Sequence, residues 1–320
     1  MSIEVFLNLL EVIGILTLLL ITGYICRRVN LIDDTASKRL SSLIIKLGQP
    51  MMIVGALISK DFSTDALKTG LLFMTIGFLI HPLMAALAFC TGPLYREQAE
   101  RKISRFCFIF TNCGFIGFPI LDSILGDGLG SFMGAFFVIS FHFYIWIWGI
   151  MILGRGRDDI RMTVKKALVN FGTIPCLIGI AIYLLKPLFE LPDFLSKVFA
   201  YLGGLCTPIS VLVTGALIAT IAPKRLLTNG KVYYAGLFRL IVMPLVICML
   251  MKLCGFDQMH LLFYACICAV PVAANVTMFS ELYDTSASYA AHNVGLTSLL
   301  SILTLPLVMF LAQKIAELPF

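Results

Sequence analysis

The amino-acid sequence predicts an all-α polytopic membrane protein with ten transmembrane helices, built as two inverted five-helix repeats with broken helices 4 and 9. Three observations predict it. Of 320 residues, 59% are hydrophobic and 13% are charged, whereas soluble domains average about 45–50% and about 25%. The apolar residues gather into runs of about 20 or more, the length a helix needs to cross a bilayer. A proline-centred pattern also recurs about 158 residues further along the chain.

In chain order the runs cover 3–26, 36–59, 66–91, 103–125, 129–154, 163–186, 195–222, 231–254, 259–283 and 287–315. The first carries Glu4 and Glu11 and has no basic residue ahead of it, so it reads as a retained span and not as a cleaved signal. The connections are short and leave no room for a separate soluble domain. The net charge of +6 is spread through these short loops, so lipid is the expected surroundings and nucleic acid is not an expected partner. All ten cysteines lie in or beside apolar runs, where cysteine packs as a small hydrophobe. None has zinc-ligand spacing, and no metal or cofactor is expected.

Lys and Arg set the orientation. The first, third, fifth and seventh connections hold sixteen of them: Arg27, Arg28, Lys38, Arg39; Arg96, Arg101, Lys102, Arg105; Arg155, Arg157, Arg161, Lys165, Lys166; Lys224, Arg225 and Lys231. The even connections and the C-terminal end hold six. The odd connections are therefore expected in the cytoplasm and both termini outside, in a plasma or inner membrane.

The repeat follows from two comparisons. Span 2 has Pro50 followed by Gly55-Ala56-Leu57-Ile58, and span 7 has Pro208 followed by Gly215-Ala216-Leu217-Ile218. Spans 4 and 9 end near Asp127 and Asp284, at nearly the same offset. The halves are 1–158 and 159–320. Five spans is an odd number, so the second half enters the membrane from the opposite side, the plan of many secondary transporters.

Span 4 contains Asn112-Cys113-Gly114-Phe115-Ile116-Gly117-Phe118-Pro119, and span 9 contains Pro271-Val272-Ala273-Ala274-Asn275. Gly, Pro and Asn form helices poorly, and both runs fall near the expected midplane. Backbone freed there persists only where protein or a watery cavity satisfies it. Each second half-helix then begins at midplane with free N–H groups and the positive end of its dipole. Asn112 and Asn275 add donors without fixed charge, and such a site suits a small carboxylate.

These residues also carry a resemblance. The run Thr111-Asn112 through Gly117-Phe118-Pro119 to Gly126, the run Pro271 through Ser280, Glu281 and Tyr283, and Pro50 and Pro208 are similar to motifs of the auxin efflux carrier family, also called PIN-like transporters. The resemblance implies a scaffold of helices 1, 2, 6 and 7 and a moving transport domain of helices 3–5 and 8–10. It also implies elevator-type movement, often in a homodimer, and carriage of small organic anions. Plant auxin carriers have a long insert after helix 5, whereas here that loop spans only Gly154–Met162. The chain therefore resembles the compact microbial branch, where malate and malonate are known substrate classes.

Substrate contact is accordingly expected at Asn112, Gly114, Gly117, Pro119, Pro271 and Asn275, and at Gln49, Pro50 and Pro208. Ionisable groups within spans are costly and default to functional candidates. His142, near where plant relatives carry a glutamine beside the cavity, is a contact and a candidate for proton coupling; a packed structural histidine is its alternative. His81 and Lys46 are further proton-coupling candidates, with Lys46 also able to snorkel to the interface. Glu11 and Arg239 lie within spans, and the sequence identifies no partner for either. A sodium-coupled carboxylate symporter of the bile-acid type is a second reading, weakened because neither break contains Asp or Glu. A non-transporting membrane sensor is a third. No His-Glu-x-x-His, Gly-x-Ser-x-Gly or Gly-x-Gly-x-x-Gly occurs, so no enzyme is expected.

Overall fold

The computed structural model describes residues 3–90, 95, 97–154, 169–222, 230–282 and 285–319. Arg96, Arg155, Arg157, Arg161, Lys165, Lys166, Lys224, Arg225, Tyr283 and Asp284 lie outside the described residues, as does nearly all of the loop 154–162. The described chain is helical, with one isolated antiparallel bridge, Thr111 to Val272, and no strand.

In order the helices are α1 (Ile3–Arg28), α2 (Asp34–Leu43), α3 (Gln49–Ile58), α4 (Thr64–Cys90), α5 (Gln98–Ile109), α6 (Phe118–Leu125), α7 (Leu129–Tyr144), α8 (Ile150–Gly154), α9 (Thr173–Leu185), α10 (Asp193–Gly204), α11 (Cys206–Ala219), α12 (Gly230–Leu237), α13 (Met243–Leu253), α14 (Gln258–Ala269), α15 (Asn275–Leu282) and α16 (Ala287–Ala316). Single π turns, Ile44–Gly48, Ile145–Gly149 and Phe238–Val242, join α2 to α3, α7 to α8 and α12 to α13; a fourth, Cys113–Gly117, leads into α6. Counting joined helices as one, seven among the described residues are long and apolar enough to cross a membrane. They correspond to predicted spans 1, 2, 3, 5, 7, 8 and 10. Spans 4, 6 and 9 contain the shorter apolar helices Cys113–Leu125, Thr173–Leu185 and Gln258–Ala269.

Large apolar side chains face outward, among them Leu18, Leu79 and Leu303. So many exposed large apolar side chains on helices of this length fit a membrane surrounding. Proline explains three of the four π turns. Pro50, Pro119 and Pro244 each stand at the start of the α-helix that follows such a turn. A proline lacks the N–H and crowds the preceding turn, and widening that turn accommodates it.

Helix packing uses close approach at glycine. α1 lies along α11, and a Cβ on Gly23 would stand 2.0 Å from the Leu212 carbonyl oxygen, while one on Gly215 would stand 2.0 Å from that of Leu20. Small residues that let backbones meet are how apolar helices associate without a hydrophobic driving force. α3 packs on α9 and α10, α4 on α7, and α14 on α13 and α16.

The first break differs from expectation in position. Only Phe110–Asn112 leave the helix, while the run Gly114–Pro119 is helical, as a π turn and then the first residues of α6. Pro within the first turn and Gly ahead of it suit a helix start, so the poor formers mark the opening of the second half-helix. The second break falls at Val270–Ala274, one residue ahead of the predicted run Pro271–Asn275, and Asn275 opens α15.

Candidate functional site

The two breaks meet. Asn112 N–H donates to Pro271 O at 2.8 Å, and Ala273 N–H donates to Phe110 O at 3.1 Å, closing the Thr111–Val272 bridge. Val272 N–H donates to Thr297 Oγ1 of α16 at 3.2 Å. Backbone that left two helices in an apolar interior is thus satisfied by the opposite break and by one hydroxyl, as burial requires.

Arg239 completes the arrangement. Its side chain is 1% exposed, and it donates from Nε to Cys107 O at 2.9 Å, from Nη1 to Val270 O at 2.8 Å and from Nη2 to Pro271 O at 3.4 Å. These oxygens sit at the C-terminal ends of α5 and α14, where helices leave carbonyls unpaired and the dipole is negative. Among the described residues it forms no ion pair with a carboxylate. Its partners are main-chain carbonyls, which explains why no partner was legible from side-chain types. Glu11, by contrast, is exposed on α1.

Beside the paired breaks lies a cavity of about 20 Å³ lined by Gln49, Met52, Asn112, Gly114, His142 and Asn275. That is room for one water molecule. Five predicted contacts therefore converge from α3, the first break and the π turn after it, α7 and α15. Gln49 Nε2 donates to His142 Nε2 at 2.8 Å, and both side chains are buried. The proton of the neutral ring is then on Nδ1, which is buried without a hydrogen-bond partner. Gly172, at the N-cap of α9, makes room for that edge of the ring: a Cβ there would lie 2.2 Å from Nδ1.

A second, open cavity of about 1320 Å³ is lined by Met52, Pro119, Asp122, Lys186, Lys197 and Thr207, among others. Met52 lines both cavities and forms the wall between them. A Cβ on Gly114 would stand 3.2 Å from its methyl, and Gly203 packs against its backbone. Ile44, Phe115 and Cys206 form a separate apolar cluster that also touches Met52, and Thr207 Oγ1 donates to Phe115 O at 2.7 Å.

The remaining predicted residues do not line the small cavity. Pro271 adjoins it through the bond to Asn112, Pro50 follows Gln49, and Gly117 lies in the π turn. Pro119 lines the larger cavity and Pro208 lies within α11. His81 Nδ1–H donates to Gly77 O at 2.7 Å, and the ring stacks between Phe137 and Tyr144. Lys46 is exposed on the π turn before α3, in keeping with snorkelling. Sequence reasoning missed Gly172 and Met52, whose importance lies in what touches them.

Helices apolar enough to span a bilayer, with two interrupted helices joined around a buried polar cavity, describe a multi-pass membrane transport protein. The chain belongs to the family described as Membrane transport protein, the auxin efflux carrier family, whose pattern matches residues 8–163 and 159–309. It is 24% identical to an uncharacterized transporter of Methanocaldococcus jannaschii, over 93% of this chain and 97% of the relative. It is 19% identical to the uncharacterized transporter YfdV of Escherichia coli, over 97% and 98% of the two chains. It is 21% identical to a Rhizobium meliloti protein named "Putative malonate transporter", over 92% of this chain and 93% of that one.

Proposed function

We propose that this protein is a secondary active transporter of small organic anions, malonate and malate foremost, which it holds where the two breaks meet. One observation carries the reading: both second half-helices begin at one cavity whose polar lining, Gln49, Thr111, Asn112, His142 and Asn275, contains no carboxylate, lysine or arginine. Helix N-termini with neutral donors suit a carboxylate. The relative named for malonate lends the dicarboxylate its place at the head of the list.

In this reading ten spans form two inverted repeats, and helices 1, 2, 6 and 7 are the scaffold. Packing supports the division, because α1 lies along α11 and α3 along α9 and α10, whereas α4 packs on α7 and α14 on α13 and α16. The transport domain moves as an elevator, in a homodimer within the cell membrane, with both termini outside. A cavity the size of one water cannot hold a dicarboxylate, so binding requires Met52 and its neighbours to withdraw towards the larger cavity.

The test is flux of labelled malonate and malate into proteoliposomes. Saturable uptake that collapses on Asn112→Ala is the expected result. Equal flux in protein-free vesicles, for both acids and for indole-acetate, would end the anion-carrier reading.

A further inference from the structure

We propose that the Arg239 guanidinium is a built-in cation of the crossing, standing where a carrier of this plan would bind a coupling metal cation, so that anion binding is independent of sodium. The carboxylate part of this inference rests on the reading above; the cation part rests on geometry alone.

Three carbonyl oxygens, from Cys107, Val270 and Pro271, converge on Arg239 from two segments of chain. In transporters built on interrupted helices, unwound carbonyls and half-helix C-terminal ends are the groups that coordinate sodium. Here a planar donor fork, fixed in charge and tethered to the chain, takes those oxygens instead. With the guanidinium at the point where they converge, a diffusible cation there would be repelled.

The charge balance points the same way. Arg239 cancels the negative ends of α5 and α14, while the positive ends of the two second half-helices keep theirs. Arg239 has no carboxylate partner among the described residues, so those positive ends stay uncompensated. An arriving anion supplies the missing charge. The connection is short: Pro271 O accepts from Arg239 Nη2 and from Asn112 N–H, and Asn112 lines the small cavity. The cation therefore holds the frame whose donors face the ligand.

The experiment uses the full chain in proteoliposomes and in detergent. Wild-type uptake of labelled malonate is expected to be equal in sodium, potassium and choline buffers. Arg239→Ala should lower uptake roughly tenfold or more, the scale of truncating one member of a buried charged hydrogen-bonded set. Arg239→Lys, which keeps the charge, should retain part of it without needing sodium. Without any substrate, the thermal midpoint of Arg239→Ala should rise with millimolar guanidinium and not with tetramethylammonium, while the wild type responds to neither. Wild-type uptake that requires sodium overturns the proposal and leaves the carrier reading standing. If the wild type carries no carboxylate, the carrier reading fails, and the substrate-free midpoints decide the proposal alone. An Arg239→Ala midpoint indifferent to guanidinium overturns it.

Discussion

Replacing Gly172 with alanine isolates the placement of His142. The backbone at Gly172 has φ −103°, a conformation alanine accepts, so the added methyl acts only through space. It would stand 2.2 Å from Nδ1 and 2.3 Å from Cε1 of His142, against an ordinary contact of about 3.5–4.0 Å. The ring must then retreat by roughly 1.5 Å, and the opposite edge is already in hydrogen-bond contact with Gln49 at 2.8 Å. Either that bond breaks or Gln49 is driven into a cavity of about 20 Å³. Overpacking costs about 1–3 kcal/mol of stability, and losing one hydrogen bond about 0.5–1.5 kcal/mol. Malonate affinity should fall by roughly fivefold if the second amount is felt at the site. The assay is a double-mutant cycle, with thermal unfolding and malonate binding measured for Gly172→Ala, His142→Ala and the pair. Truncating the ring removes the clash, so the pair should be no worse than His142→Ala alone. Additive losses would show that Gly172 acts independently of His142 and would refute the reasoning.

Three further outcomes are expected. Met52→Ala should join the two cavities, so Cys113, which is buried and lines the small one, becomes reactive to a small methanethiosulfonate. Exposed Cys254 is the internal control, and equal Cys113 labelling in the wild type would deny Met52 the role of a wall. Gly215→Ala should lower the unfolding midpoint by the equivalent of about 1–3 kcal/mol, because its Cβ meets the Leu20 carbonyl oxygen. Gly14→Ala on α1, where nothing lies within 4 Å, should stabilise by up to about 1 kcal/mol; matching signs would contradict the packing account. Asp257 caps α14, and although burial pushes its carboxyl up, hydrogen bonds from the His260 backbone N–H and ring outweigh this and hold it below its ordinary value of 3.8. A depressed folded-state value gives stability that is present above 3.8 and lost as pH falls through the lower folded value. The difference in thermal midpoint between wild type and Asp257→Asn should therefore be seen at neutral pH and vanish in acid; a difference that grows in acid would refute the sign.

Much of the architecture was legible because bilayer thickness fixes the length of an apolar run, and no soluble fold needs so many. The convergence of Gln49, Asn112, His142 and Asn275 was legible for a related reason: polar groups in the middle of such runs need one another. Arg239 was visible as an anomaly, but its partners were not, because a main-chain carbonyl looks the same in every residue. Gly172 and Met52 left no signal, since one matters for the atom it lacks and the other for lying between two spaces. The first break was misplaced by a few residues because Gly and Pro disrupt a helix interior yet suit its first turn. The run Gly114–Pro119 begins a helix that Phe110–Asn112 have already interrupted.

The Thr111–Val272 bridge is made by main-chain atoms. This divides the site into two layers with different tolerance to mutation. Apart from the Arg239 guanidinium and the Thr297 hydroxyl, the frame is held by amides and carbonyls, which nearly every residue supplies, with proline at an N–H position as the chief exception. The lining, Gln49, Asn112, His142 and Asn275, is side chain. Substitution can therefore rewrite what the cavity recognises while the crossing that supports it stays assembled, and a change of cargo does not require a change of fold.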